Sequence, residues 1–164
     1  MTTSAPMERC RFTQVGWLMV VLAAILAGVG VLAQAGVLDD AGTVMPVIFY
    51  VVAAVLVFLF GWLTVVIREG EIEVRLGVGL IRKRYNLNDF MDVQVVRNRW
   101  YWGWGIRFVP GAVLYNVSGL WAVELKRLNG RAVRIGSNRP HELKQALREA
   151  LNALHVSHPD WKIL

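Results

Sequence analysis

The chain has 164 residues, of which 55% are hydrophobic and only 18% are charged, and its formal net charge is +6. Soluble domains usually carry about a quarter charged residues, so this composition indicates a membrane protein. The single cysteine, Cys10, excludes an internal disulfide and a cysteine-cluster metal site. The positive charge favours an anionic neighbour such as lipid headgroups, nucleic acid or an acidic protein.

Two long uncharged segments follow a polar N-terminal stretch. Neither Val15–Leu38 nor Val44–Ile67 contains a charged residue. Each would be about 36 Å long as a helix, enough to cross a hydrocarbon core of about 30 Å. Burying two such helices in a soluble core would need far more surrounding protein, so the pattern predicts two transmembrane helices. The predicted boundaries are a cytoplasmic tail at 1–13, a transmembrane hairpin at 14–67, helices at about 15–38 and 44–67, and an external loop at 39–43.

Basic residues flank this hairpin on one side only. Arg9 and Arg11 precede the first span, and Arg68 and Arg75 follow the second, whereas the connecting segment 39–43 has acidic residues and no lysine or arginine. The positive-inside rule therefore predicts cytoplasmic termini. We expect a multi-pass protein of the inner (cytoplasmic) membrane.

The segment Ala33–Ala35 resembles a signal-peptidase site behind a basic start and an apolar run. The apolar run before it, Val15–Leu32, is longer than the usual signal core of about 7–15 residues, which favours an intact hairpin. An intact mass beginning at Gly36 would establish cleavage. Neither span contains an ionisable residue, so the pattern predicts an anchor rather than a transport path.

Residues 70–164 show the pattern of a small cytoplasmic β-rich domain. Ile72, Val74 and Leu76 alternate with charged residues, which is the period of a strand. The segments "LIRKRYNL" and "MDVQVVRN" are two further strand candidates. Short strands at this spacing are typical of an antiparallel barrel or sandwich.

The segment "LWAVELKRLNGRAVRIGS" carries the clearest β-hairpin signal. Asn129-Gly130 commonly forms a two-residue loop, but that register would mix apolar and charged residues on each face. A three-residue loop at 128–130, with a left-handed glycine, separates the two kinds of residue. This loop predicts a cross-strand ion pair between Glu124 and Arg134. It also predicts one buried face, formed by Trp121, Val123, Leu125, Val133 and Ile135.

A helix is predicted at about 139–154. Ser137 or Asn138 can cap it, and Pro140 suits its first turn. The apolar residues recur at helical spacing: Leu143, Ala146, Leu147, Ala150, Leu151 and Leu154. Their stripe is expected to cover the open end or edge of the sheet.

The segment "WGWGIRFVPGAVLYNVSGLWAVELKRLNGRAVRIGSNRPHELKQAL", about Trp102 to Leu147, resembles the bacterial pleckstrin-homology-like (PH-like) domains found behind one or two transmembrane helices. It departs from them at Asn138-Arg139, where members often have an acidic residue before the helix proline. The resemblance implies a seven-stranded, strongly bent sheet capped by a C-terminal helix, and it implies no ligand. The expected fold is thus membrane α + β: a transmembrane hairpin, then a PH-like, mostly antiparallel bent sheet or barrel.

No catalytic motif accompanies these elements. The sequence has no Gly-x-Ser-x-Gly elbow, phosphate-binding loop or His-Glu-x-x-His motif. His155 and His158 have near-ligand spacing, but no cysteine or paired carboxylate accompanies them. We expect no catalysis, no cofactor and no metal.

Basic and aromatic residues have three interpretations: structural packing, contact with lipid, and base stacking on nucleic acid. Only Arg68–Gly70 separate the second predicted span from the first predicted strand of the domain, so the domain is held against the inner leaflet, which disfavours nucleic acid. The candidate lipid or partner contacts are Arg82, Lys83, Arg84, Arg97, Arg99, Trp100, Tyr101, Trp102 and Trp104.

The sequence therefore predicts a membrane-anchored PH-like binding or scaffolding module at the inner leaflet of a bacterial cytoplasmic membrane. The expected partners are anionic lipids, with other membrane proteins or self-association as further candidates. The alternative is an accessory subunit of a membrane complex that assembles through its transmembrane hairpin.

Overall fold

The computed structural model describes residues 8–36, 44–128 and 130–157. Within them the chain is an α+β fold with two sheets and three helices. The elements are β1 (Glu8–Val15), α1 (Trp17–Gln34), α2 (Val44–Phe60), β2 (Trp62–Arg68), β3 (Glu71–Leu76), β4 (Ile81–Asn86), β5 (Phe90–Arg97), β6 (Gly105–Val109), β7 (Ala112–Asn116), β8 (Trp121–Arg127), β9 (Ala132–Gly136) and α3 (Pro140–Ser157).

The strands form two separate sheets. The first sheet is an antiparallel meander in the order β1-β2-β3-β4, and the second has the order β5-β8-β9-β7-β6. Neighbouring strands of the second sheet are antiparallel except β7 and β9, which are parallel. No strand of one sheet pairs with a strand of the other in the described residues, so the barrel expected as one option does not close.

The core lies between the two sheets and α3. Its fully buried side chains come from all three layers: Leu63, Ile72 and Leu76 from the first sheet, Val123, Leu125 and Ile135 from the second, and Leu143 and Leu147 from α3. The prediction that the apolar stripe of the closing helix packs on the sheets is confirmed. The helix extends three residues beyond the predicted end, to Ser157, and the Ser137 hydroxyl accepts a hydrogen bond from the Arg139 N–H at its start (3.1 Å).

The predicted register of the β8–β9 hairpin is confirmed. Val123 lies opposite Ile135 and Leu125 opposite Val133, and Gly130 has a φ of +100°. Asn129 lies outside the described residues. Trp121 was predicted on the buried face, which is wrong: it is 49% exposed. β9 ends at Gly136, so the residue opposite Trp121 is Ser137, whose N–H donates to the Trp121 carbonyl at 3.1 Å and whose side chain is too small to cover an indole ring.

Helices α1 and α2 are apolar on all sides and pack against each other. α1 is long and apolar enough to cross a membrane or to act as a signal sequence, with a mean hydropathy of 2.2 and only 17% of its residues buried. A core helix of a soluble protein would be mostly buried. The buried residues of both helices are small or are proline: Ala23, Gly30, Ala33, Pro46 and Ala53.

The second predicted span, 44–67, is wrong at its C-terminal end. α2 stops at Phe60, and Trp62–Arg68 is instead strand β2, paired with β1 on one side and β3 on the other. The predicted cytoplasmic tail 1–13 likewise contains β1 from Glu8 onward. Two flanking strands satisfy the backbone of β2 on both edges, which makes a sheet the favourable state for this apolar segment. The predicted loop 39–43 and residues 1–7 lie outside the described residues.

The two helices leave the first sheet side by side. Val15 pairs with Trp62, and the Gly16 N–H donates to the Gly61 carbonyl at 2.7 Å. We call Gly16 and Gly61 the hairpin root. The three-residue tether expected at Arg68–Gly70 is therefore wrong, because Arg68 belongs to β2 and the helices are an insertion between two paired strands.

Hydrogen bonds from the β3–β4 turn hold the C-terminal end of α2 and the start of β2. The Gly77 N–H donates to the Trp62 carbonyl at 2.7 Å, and the Val78 N–H donates to the Phe58 carbonyl at 3.2 Å. This second bond satisfies one of the carbonyls that a helix leaves unpaired at its C-terminus. A Cβ on Gly77 would lie 2.1 Å from the Phe58 oxygen, so only glycine fits at this position.

Candidate lipid and partner interface

The aromatic segment 99–104 lies beside the hairpin root. It contains a short 3-10 helix, Trp100–Trp102, and is held at both ends. At one end the Asn98 N–H donates to the Leu120 carbonyl at 2.7 Å. At the other end, the position of a Cβ on Gly105 is 3.5 Å from the ring of Phe60, the last residue of α2. The segment therefore lies close to where the apolar helices meet the sheets.

Two rings of this segment face solvent. Trp100 is 76% exposed and Tyr101 is 55% exposed, and the two rings contact edge to face with centroids 6.0 Å apart. The Arg99 guanidinium lies 5.8 Å from the centroid of the Tyr101 ring and donates a hydrogen bond to its hydroxyl, which holds the pKa of Arg99 above its usual value. An exposed indole and phenol beside a fixed cation suit a headgroup interface.

Trp102 and Trp104 are half-buried, and Trp102 packs on an apolar cluster of the second sheet. The guanidinium of Arg134 lies over the Trp102 ring at 5.1 Å and is ion-paired with Glu124. This ion pair was predicted from the hairpin register and is confirmed. Gln94 adds a hydrogen bond to the other carboxylate oxygen of Glu124 at 2.7 Å. Trp102 therefore packs against the Arg134–Glu124 ion pair and is not freely exposed at the surface.

The remaining predicted contacts divide between two places. Arg97, at the end of β5, lies over the Trp121 ring at 5.9 Å. Arg82, Lys83 and Arg84 lie on β4 in the other sheet. Arg82 and Arg84 pair with Arg75 and Glu73 and share the outer face of the first sheet, whereas Lys83 pairs with the core residue Val74 and points to the opposite face.

Glu73 organises the arginines on that outer face. It is 1% exposed and accepts two hydrogen bonds from Arg75, both at 3.0 Å. Arg68 lies 3.1 Å away and Arg84 3.9 Å away. The hydrogen bonds from Arg75 lower the pKa of Glu73 despite its burial, and the charges of Arg75, Arg68 and Arg84 lower it further. Arg84 is therefore part of a structural ion cluster.

A groove that the sequence did not predict lies on the same outer face, next to the hairpin root. It has a volume of about 380 Å³. Its polar lining comes from four strands: Arg11, Thr13, Thr64, Arg75 and Arg82, together with the Trp62 ring. The signal that could have found it is the alternation of Arg9, Arg11, Thr13 and Val15, which indicates a strand with one basic face.

Several exposed apolar side chains lie in the elements that adjoin the root. Trp17 begins α1, and Val78 and Leu80 lie in the β3–β4 turn that caps α2. Trp100, in the aromatic segment near Phe60, is a further exposed ring. Large exposed apolar side chains are typical of membrane or protein contacts.

The described residues contain no group of three or more His, Cys, Asp or Glu side chains placed to hold a metal ion. Cys10 is an exposed thiol, and His158 lies outside the described residues. No protein-family model matches the chain, and no curated protein matches it.

Proposed function

We propose that this chain is a membrane-anchored, PH-like binding and scaffolding module at the inner leaflet of a bacterial cytoplasmic membrane, with no catalytic role. The anchor is the α1–α2 hairpin, and the binding part is the pair of sheets with α3. Both chain ends are on the cytoplasmic side, and anionic lipids are among the partners.

The observation that carries this proposal is the exposure of two apolar helices that leave adjacent strands side by side. Water would contact Val21 and Ile25 of α1 and Val47 and Val51 of α2 unless lipid covered them. α2 has 17 described residues, which is the lower end of the usual length of a transmembrane helix, about 17–25 residues. The direct link between the Gly16 N–H and the Gly61 carbonyl brings both helices to the same surface of the domain.

The strand order supports the PH-like assignment. The antiparallel meander of the first sheet, the antiparallel strands β5-β8-β9 of the second sheet and the packed C-terminal helix are the features that support it. The described residues form nine strands rather than the seven that the resemblance implies, and the β6–β7 hairpin lies within the segment that carries the resemblance.

An accessory subunit of a membrane complex is the second candidate function. It is favoured by the outward faces of α1 and α2, which display valine, leucine and isoleucine and are free to pack on other transmembrane helices. In that case the hairpin, not the sheets, makes the essential contact.

Replacing residues 17–60 with an unrelated two-helix anchor separates the two functions. The replacement is joined at Gly16 and Gly61, so the pairing of β1 with β2 is kept. Partners are compared by crosslinking and affinity capture from native membranes. Partners retained after the replacement implicate the sheets, whereas partners lost implicate the hairpin.

Lipid contact by the aromatic segment is tested on a soluble form in which Gly16 is joined directly to Gly61, which we call the hairpin-deleted variant. We expect its binding to anionic liposomes to be salt-sensitive and to weaken severalfold in Trp100→Ala. The matched control is Phe108→Ala, because Phe108 is equally exposed at 76% but lies on β6, three residues beyond Gly105. Equal loss in both variants, or in neither, would contradict a specific role of the segment at the interface.

A further inference from the structure

The groove on the outer face of the first sheet has the chemistry of an oxyanion site. Arg11, Arg75 and Arg82 are among the residues that line it, and none of the lining residues is acidic. Its volume of about 380 Å³ is within the usual range for small-ligand pockets, about 300–1,000 Å³. Guanidinium groups match phosphate oxygens in both charge and geometry.

Two of these guanidinium groups are held in place by the fold itself. Arg82 donates from Nε to the Gly79 carbonyl at 2.6 Å, which folds its side chain over the β3–β4 turn. Arg75 is fixed by its two hydrogen bonds to Glu73. Nε and one terminal nitrogen of Arg75 are bonded to Glu73, whose carboxylate balances the charge of Arg75, so Arg82 and Arg11 supply the positive charge and the donors for a ligand. Cations fixed before binding lose less conformational entropy when a ligand arrives.

The floor of the groove adds hydroxyl donors. Thr13 of β1 lies directly opposite Thr64 of β2, and their hydroxyl oxygens are 3.3 Å apart. In such a pair one hydroxyl donates to the other, so the hydrogen of the second hydroxyl is available to a ligand. A phosphate in the groove would accept from this hydroxyl below and from the guanidinium groups at the sides.

The position of the groove identifies the source of the phosphate. Val15 and Trp62, the last strand residues before the hairpin root, line one end of the groove, and the β3–β4 turn lines another. The exposed Val78 also lines the groove, and the exposed Trp17 follows the root at the start of α1. If α1 and α2 cross the bilayer, as the proposed function holds, the groove opens where headgroups lie.

We propose that this groove binds the phosphate of an anionic phospholipid headgroup at the base of the hairpin. The site is separate from the aromatic segment, which lies on the second-sheet side of the root. It rests on the proposed function, because a lipid reaches the groove only when the hairpin is in the membrane.

The test uses the full chain in neutral detergent micelles, with nuclear magnetic resonance of the Thr13 and Thr64 amide and methyl signals as the readout. Three probes are titrated: dihexanoyl phosphatidylglycerol, dihexanoyl phosphatidylcholine and inorganic phosphate. We expect saturable shifts with phosphatidylglycerol at concentrations where the other two probes give none. Arg82→Gln and Arg11→Gln should each weaken that affinity about fivefold, equivalent to roughly 1 kcal/mol.

The matched control is Lys83→Gln, which removes the same charge from the adjacent residue of β4 but on the opposite face. It should leave the affinity unchanged, and an equal loss in Lys83→Gln and Arg82→Gln would overturn the site in favour of general charge attraction. Thr64→Val replaces the hydroxyl by a methyl group of similar size. It tests whether the threonine hydroxyls on the floor of the groove contribute to binding, without removing a charge. The amide spectrum of each variant reports whether it is folded.

Other outcomes also decide the proposal. Equal affinity for inorganic phosphate would make the groove a site for a soluble phosphate and overturn the lipid source. Equal affinity for phosphatidylcholine, or no saturable shift at all, would overturn the anion site. Alkaline carbonate extraction of native membranes distinguishes a failure of the proposed membrane anchor from a failure of the proposed headgroup site. A chain that is extracted contradicts the anchor of the proposed function, whereas a chain that resists extraction but binds no headgroup contradicts only the groove.

Discussion

Helix α2 and strand β2 are consecutive parts of one uncharged segment, yet they have opposite surroundings. Valines 47, 51 and 55 of α2 are about half exposed, whereas Val65 and Val66 of β2 are 2% and 1% exposed. A single residue, Gly61, separates the two elements. Its N–H still bonds to the Val57 carbonyl as in a helix, while its carbonyl accepts from Gly16, opposite it at the root.

The difference follows from the partners that each part finds. β2 lies between β1 and β3, which pair with its backbone on both edges. Val65 packs in the core on the inner face of β2, and Val66 on the outer face lies between Arg11 of β1 and Glu73 of β3. α2 satisfies most of its backbone internally, and within the described residues α1 is its main neighbour. An apolar segment is stable only where it is shielded from water. Whether protein or lipid shields it depends on the strands that are available to pair with it.

The largest mutational effect is expected at the turn that joins the two parts. Gly77→Ala places a Cβ 2.1 Å from the Phe58 carbonyl oxygen at a φ of +55°, so the end of α2 has to shift. We expect a loss of at least about 3 kcal/mol in the free energy of unfolding, measured by thermal unfolding in neutral detergent. Gly70→Ala is the control, because Gly70 also has a positive φ, +79°, but open space around it. It should cost only about 1 kcal/mol, and equal costs would show that the turn does not hold the helix.

A smaller effect on stability is expected when the same substitution is compared in β2 and in α2, on either side of Gly61. Val65→Ala removes two buried methyl groups from β2 and should cost about 2–3 kcal/mol. Val55→Ala makes the same change in α2, where the side chain is 48% exposed, and should cost less than about 0.5 kcal/mol. Thermal unfolding midpoints of the two variants in the same detergent measure the contrast. Equal losses would mean that α2 is packed inside protein rather than exposed.

The smallest of these effects concerns the ion cluster on the outer face of the first sheet. The folded-state pKa of Glu73 is below its ordinary value of 4.5, so its contribution to stability is present above that pH and is lost as the pH falls through the folded pKa. Glu73→Gln should cost about 1–2 kcal/mol at pH 7, and the difference from the unmutated chain should shrink below pH 4.5. Glu71→Gln, on the same face of β3, should change stability by less than about 0.5 kcal/mol at either pH. A cost of Glu73→Gln that does not change with pH would contradict the role of the carboxylate charge.

Much of the β-rich part could be predicted because its signals are local. The alternation in β3, the register of the β8–β9 hairpin and the periodicity of α3 each depend on neighbouring residues alone, and the structure confirms them. The failure at Trp121 has a local cause as well, since burial at the end of a strand depends on how far the partner strand extends.

The boundary between α2 and β2 could not be predicted, because hydropathy is the same on both sides of it. Recognising β2 requires knowing that Glu8–Val15, on the far side of both helices, pairs with it. The groove residues Arg11, Thr13 and Thr64 were missed for the same reason, since they come together only through that long-range pairing. The sequence identified Trp100 and Tyr101 as candidate contacts, but their position beside the hairpin root depends on tertiary contacts.

The most direct test of an anchor inserted between two paired strands is the hairpin-deleted variant. Joining Gly16 to Gly61 leaves Val15 and Trp62 connected by a Gly-Gly turn, which suits a two-residue β-hairpin loop. This variant should be soluble without detergent and should unfold in one cooperative transition, as followed by circular dichroism. A fragment of residues 69–164, which lacks β1 and β2, should fail to fold. An unfolded or aggregated hairpin-deleted variant beside a folded 69–164 fragment would contradict the insertion.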